Sequence, residues 1–203
     1  MSISFTNRLY TETKDSHTQV DRHPFVSMIR TNKLAGEMYV NFNKVCIREI
    51  QTVLQLKDTE LYSKLYKDIG IPEIETTQTF DDLLKHCRKY SLESAYQFYL
   101  GLLFGGNMLK KMLPEHNDFL TCENSKQLII DFKTYLCNNV SESDQDIFIY
   151  NVNKSYVLIK GVFDEFYARL KVNIPQFDVQ ETRHLDGGPG TYPDPDLFWH
   201  WYN

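Results

Sequence analysis

The sequence has few cysteines, and their spacing excludes most cysteine-based sites. The four residues are Cys46, Cys87, Cys122 and Cys137, with no CxxC pair among them. A zinc cluster or a disulfide framework would bring cysteines close together in the sequence. Reduced thiols, as found in cytoplasmic proteins, are therefore expected.

Long apolar runs and excess positive charge are also absent. No segment reaches the 18 or more apolar residues that a membrane-spanning helix needs, and the N-terminus is too polar for a secretory signal. The net charge is −5, from 22 Lys and Arg against 27 Asp and Glu. A nucleic-acid-binding protein normally carries a basic face. These absences predict a cytoplasmic protein with no transmembrane anchor and no nucleic-acid partner.

Helical periodicity dominates the part of the chain that remains. Apolar residues recur every three to four positions, and no stretch alternates as a strand would. The predicted helices are Ser4–Val20, Ala35–Leu56, Leu61–Asp68, Thr79–Tyr90, Ser94–Met112, Ser125–Cys137 and Ile147–Leu170. The fold class is therefore predicted to be all-α, a helical bundle over residues 1–170.

The composition changes after Leu170. Residues 171–203 contain four of the seven prolines and a GGPG turn, and they end in FWHWYN. This pattern predicts an extended tail. Its aromatic end is expected to pack on the helical domain, with contact to a partner or a membrane surface as the alternative.

Three glycines interrupt the most apolar predicted helix, Ser94–Met112. Gly101, Gly105 and Gly106 each cost the helix about 1 kcal/mol relative to alanine. Two explanations fit the spacing. The glycines allow a neighbouring helix to approach closely, or they leave bare backbone against which a flat ligand can lie.

Three segments resemble heme oxygenases, in the order that family shows. "AYQFYLGLLFGGNMLKK" is similar to the family's distal-helix signature, and "TETKDSHTQV" resembles its proximal helix. "YVLIKGVFDEF" resembles the last core helix. The three segments together span most of residues 5–170.

This resemblance implies a heme held between the first helix and the glycine-bearing helix. His17 would be the axial ligand to iron, with His23 as the nearest rival. Lys14 and Lys126 would bind the heme propionates. Where the family has an arginine, this chain has Ile130, and Lys133 is the nearest substitute. Tyr96 and Phe163 are carried over as pocket walls.

The distal catalytic positions implied by the resemblance are Gly101, Leu102, Gly105, Gly106 and Asn107. The family's aspartate, which organises proton-delivering water, is replaced by Leu102, and the small polar residue two places later is replaced by Phe104. Asn107 or backbone groups near the glycines would have to hold any water network here. Slow turnover or a changed proton route is therefore expected.

Several functions remain open from the sequence. The first is a heme oxygenase, for which heme is both cofactor and substrate and dioxygen is the co-substrate. It would take electrons from an external reductase and release biliverdin, iron and carbon monoxide. The second is a non-catalytic heme or bilin binder or sensor. The third is a heme-free interaction protein, and a relative of the thiamin-degrading enzymes on a related fold is a fourth.

Overall fold

The computed structural model describes residues 4–54 and 75–173, and this part of the chain forms helices without a strand. The eight α-helices in these ranges are α1 Phe5–Asp21, α2 Pro24–Met28, α3 Lys33–Leu54, α4 Gln78–Lys89, α5 Ser91–Met112, α6 Asn117–Leu120, α7 Ser125–Asn139 and α8 Gln145–Asn173. Single 3₁₀ turns lie at Pro114–His116 and Glu142–Asp144. The all-α prediction is confirmed. The predicted helix Leu61–Asp68 and residues 174–203 of the tail lie outside the described residues.

The long helices begin and end within three residues of their predicted positions in the described ranges. Thr77 is the N-cap of α4, and its hydroxyl accepts the Phe80 N–H at 3.2 Å. The short helices α2 and α6 were not predicted, because one or two turns are too short to show a period.

Helix α8 carries the core. Its inner stripe is buried throughout and consists of Phe148, Val152, Tyr156, Ile159, Phe163 and Phe166. Phe163 packs its ring 4.9 Å from that of Phe25 and 5.3 Å from that of Phe42. Such an aromatic cluster provides large apolar burial in a small volume.

Helices α1 and α8 lie side by side and run in the same direction. The ring of Phe5 lies 5.5 Å from that of Phe148, and the ring of His17 lies 5.3 Å from that of Tyr156. Farther along, the ring of His23 contacts Phe163. Residue numbers thus rise together along both helices.

Helix α5 also runs in the direction of α8. It is antiparallel to α3, since Gly36 lies against Leu113 while Phe42 contacts Phe98. Helix α4 is antiparallel to α8, as the contacts of Thr77 with Glu165 and of His86 with Asn151 show. It is parallel to α3, since Phe80 contacts Phe42 and Arg88 contacts Glu49. Helices α1, α5 and α8 therefore share one direction, and α7 packs on both α1 and α5.

Candidate functional site

The three glycines of α5 have different surroundings. A methyl group added at Gly101 or Gly105 would meet no atom of another part of the chain within 4 Å. At Gly106 the same methyl would lie 2.3 Å from the carbonyl oxygen of Leu120. Gly106 therefore allows α6 to approach closely, whereas Gly101 and Gly105 border open space.

The open strip beside Gly101 and Gly105 leads from the surface into the protein. Gly101 is exposed, while Gly105, one turn later, is buried. We call the space on the Cβ side of these two glycines the slot, and bare helix backbone lines it on the α5 side. A flat ligand could lie there, because no side chain of these two residues occupies the space.

His17 lies half-buried on α1, and the side chains of Asp21 and Tyr156 lie next to its ring. Its Nδ1 is 2.9 Å from an Asp21 carboxylate oxygen, one turn later on the same helix. The Tyr156 ring meets the imidazole edge-on, at an interplanar angle of 82°. A histidine that ligates a metal commonly directs one ring nitrogen to a carboxylate and binds the metal with the other. The short distance from Nδ1 to the Asp21 carboxylate is compatible with that role, although the two groups lack the alignment of a hydrogen bond.

His23, the rival ligand, uses both ring nitrogens within the fold. Its Nδ1 accepts the Phe25 N–H at 3.1 Å and so caps α2. Its Nε2 lies 3.0 Å from an Asp164 carboxylate oxygen. The side chain is also 5% exposed, so ligation through either ring nitrogen of His23 would displace the hydrogen bond that this nitrogen makes.

A hydrogen bond between Thr13 and Tyr96 links α1 to α5. Thr13 donates its hydroxyl proton to the Leu9 carbonyl at 2.8 Å and is also hydrogen-bonded to Tyr96. Burial raises the pKa of Tyr96 to about 12, so its phenol stays protonated and can donate to Thr13. From this bridge the two helices continue in the same direction. His17 then follows after about 6 Å and Gly101 after about 7.5 Å of helix rise.

The arrangement of these helices is that of known heme-binding enzymes. The heme oxygenase-1 of the cyanobacterium Synechocystis sp. PCC6803, solved in complex with heme, superposes with a TM-score of 0.65 at 16% sequence identity. The match covers 84% of this chain and 95% of that one. The chain has the heme oxygenase fold.

A second heme oxygenase, from Leptospira interrogans, superposes with a TM-score of 0.61 at 16% identity. The match covers 80% of this chain and all of that one. No protein-family model and no curated protein sequence matches the chain. Across the described ranges, no helix has both the length and the apolar character that crossing a membrane requires.

The predicted cationic residues lie on the surface of this heme oxygenase fold. Lys14 on α1 and Lys126 in the first turn of α7 are exposed. Lys133, farther along α7, is half-buried, and burial lowers the pKa of its amine. These lysines belong to α1 and α7, which pack against each other.

The remaining predicted residues differ in burial and surroundings. Phe163 is 2% exposed in the aromatic core. Leu102 is 7% exposed, and its Cδ1 would lie 3.7 Å from a methyl group added at Gly106, on the side of α5 that faces Leu120. Asn107 is exposed. Tyr96 is hydrogen-bonded to Thr13, on the helix that carries His17.

Sequence reasoning missed the roles of Thr13, Asp21 and Tyr156. The spacing of Asp21, four residues after His17, was a usable signal, since residues four apart share one face of a helix. Tyr156 lies within a segment that resembles the family, yet Phe163 was preferred from that segment. Only the packing of α1 on α8 identifies which of the two contacts His17.

Proposed function

We propose that the protein binds heme between α1 and α5 and cleaves it oxidatively to biliverdin, iron and carbon monoxide. Heme would be both cofactor and substrate, with dioxygen as co-substrate and an external reductase as the source of electrons. The observation that supports this most is the open strip of bare α5 backbone, level with His17, in a chain with the heme oxygenase fold. The proposed location is the cytoplasm.

Each residue near the slot has a proposed task. His17 holds the iron through Nε2, and Asp21 fixes the orientation of its ring. Gly101 and Gly105 leave room for the flat ring system. The hydrogen-bonded pair Tyr96 and Thr13 limits how far the ring enters. When bound, heme supplies the redox-active iron and the carbon that is oxidised.

Cations near the slot would balance the two heme propionates in an acidic protein. Lys14 and Lys126 are exposed, so they can reach carboxylates at the edge of a bound heme while remaining solvated. Lys133 is the proposed substitute for the family's arginine. Phe163 would support the site indirectly, through the packing of α8. The aromatic tail remains a proposed contact surface.

A non-catalytic heme or bilin binder is the second candidate. The observation that favours it is Leu102, an apolar and buried residue where the family has its aspartate. A leucine cannot hold a water molecule that passes protons. Gly106 and Asn107 do not replace it, because one packs on Leu120 and the other faces solvent.

The first test is a hemin titration of the purified protein, followed by absorption spectroscopy. We expect a saturable ferric-heme spectrum that His17→Ala changes or abolishes. His116→Ala serves as the matched control, because His116 lies on the turn after α5, outside the proposed site. A His17→Ala spectrum identical to the wild-type one would exclude His17 as the ligand.

A turnover test then separates the two candidates. The hemin complex receives an electron donor in air, with catalase present to remove free peroxide. Conversion of the heme spectrum to that of biliverdin supports the oxygenase. A complex that stays stable under reduction supports the binder, and absence of any complex excludes both.

A further inference from the structure

Two buried polar side chains, one on α5 and one on α8, each have an atom without a hydrogen-bond partner among the described residues. Gln97 is 8% exposed and Ser155 is completely buried. Neither Gln97 Oε1 nor Ser155 Oγ has a hydrogen-bond partner among the residues that the structure describes. Buried polar atoms are rarely left in this state, and ordered water is the usual partner where protein groups are lacking.

The contacts of Gln97 and Ser155 indicate where this pair lies relative to the slot. Gln97 Nε2 donates to the Val152 carbonyl at 3.0 Å, which fixes the contact between α5 and α8 at that point. Ser155 follows Val152 by three residues, about one turn farther along α8. Since α5 runs in the same direction, this turn leads from Gln97 toward Gly101. Ser155 also directly precedes Tyr156, whose ring contacts His17.

We propose that Gln97 and Ser155 hold a buried water between α5 and α8, and that this water supplies protons to the slot in place of the missing aspartate. The proposal rests on the proposed function. Gln97 Oε1 accepts one hydrogen bond from the water, and the Ser155 hydroxyl can donate or accept another. A buried water needs two to four such partners.

Both residues are positioning residues in this scheme. Neither an amide nor a serine hydroxyl ionises near neutral pH, so the proton that moves belongs to the water. Each proton that leaves is replaced from solvent, which reaches the open strip at the exposed Gly101. The protonation states of Gln97 and Ser155 are therefore the same before and after the transfer.

The first readout uses the heme-free protein. Ser155→Ala removes a hydroxyl that is either bound to water or buried without a partner. If the water is present, the variant melts at a lower temperature than the wild type. If the site is dry, the variant melts at a higher temperature, because an unpaired buried polar group has been removed, and the proposal is overturned.

The matched control is Ser94→Ala. Ser94 is fully buried on α5, and its hydroxyl also lacks a partner among the described residues. It precedes Gln97 by three residues, on the side away from Gly101. Gln97→Met provides a second variant, of similar volume, that removes the other proposed contact of the water.

The second readout uses the hemin complex. We expect Ser155→Ala and Gln97→Met to slow bilin formation about 100-fold, the lower end of the effect of a positioned proton donor. They should also shift the pH midpoint of the ferric complex's spectral transition and leave hemin affinity unchanged. Ser94→Ala should change none of these. Unchanged rates and midpoints in both variants would overturn the proposal.

The two readouts separate this proposal from the function on which it rests. If the wild type binds hemin but forms no bilin, the oxygenase fails and proton delivery fails with it. The melting temperatures then still decide whether the water is present. If bilin forms at the same rate in all variants, the oxygenase holds and only the role of Gln97 and Ser155 is lost.

Discussion

Gly105 and Gly106 are adjacent on α5, but only Gly106 has a close neighbour on its Cβ side. Substitution by alanine should therefore change the stability in opposite directions at the two positions. Gly105→Ala adds a methyl group into open space and improves helix propensity, so it should raise the free energy of unfolding by up to about 1 kcal/mol. Gly106→Ala places a methyl group against the Leu120 carbonyl, 2.3 Å away before relaxation. It should lower that free energy by about 1–3 kcal/mol, as overpacking does.

Urea unfolding of the two variants checks this prediction. Each is the other's control, because they differ by one position on one helix. Equal shifts of the unfolding midpoint in the same direction would show that the space beside Gly105 is not open. The proposed heme site between α1 and α5 would then lose its main structural support.

The carboxylate of Asp21 should matter for iron ligation beyond its effect on charge. Asp21→Asn keeps the size of the side chain but weakens its hold on His17 Nδ1, which lies 2.9 Å away. Loss of such a carboxylate partner typically costs 10–100-fold in affinity or activity, and we expect hemin affinity to fall by about that factor.

The matched control for Asp21→Asn is Asp15→Asn. Asp15 is exposed on the same helix, two residues before His17. Titration with hemin measures the affinity, and resonance Raman spectra of the reduced complex report the iron–histidine bond. An iron–histidine frequency unchanged in Asp21→Asn would mean that Asp21 does not act through His17.

At the scale of elements, the contact between α4 and α8 should make stability depend on pH. His86 is buried and its Nε2 bonds to the Asn151 carbonyl at 3.1 Å. Burial lowers the pKa of His86 below its usual 6.5, while the hydrogen bond opposes this shift. The unfolded chain therefore binds a proton that the folded chain does not, and stability falls as the pH drops below 6.5.

Thermal unfolding of the wild type and His86→Gln between pH 8 and pH 5 tests this sign. Above about pH 7 the histidine is neutral in both states, so the variant should differ only by its altered packing. Below about pH 7, the wild type should lose stability faster than the variant, because the variant has no group at position 86 that takes up a proton. Parallel curves would show that His86 does not contribute.

Most of the described helices could be predicted from the sequence, because long amphipathic stripes such as Phe5–Leu9–Thr13 on α1 repeat over several turns. What decides the site could not be predicted in this way. Gly105 and Gly106 are identical in sequence terms, and only the approach of Leu120 distinguishes them. The packing of Tyr156 on His17 likewise depends on the alignment of two helices distant in sequence.

At the scale of the whole molecule, α1 and α5 are joined by few direct contacts near the slot. The Tyr96–Thr13 hydrogen bond links them, while each packs separately on α8. A ligand that binds both helices would therefore add contacts between α1 and α5 that the protein itself lacks. Regions with few buried contacts open most easily, so the exchange of amide hydrogens should respond to the ligand mainly in these two helices.

Hemin should accordingly stabilise the protein when it is bound. At a free concentration 100 times the Kd, a ligand specific for the folded state adds about 2.7 kcal/mol, which for a domain of this size raises the Tm by about 5–10 °C. We expect the gain in hydrogen-exchange protection to centre on α1 and α5. Gly105→Leu, which fills the open strip with a side chain, should fold but lose both effects. A Tm rise that survives in Gly105→Leu would place hemin elsewhere on the protein.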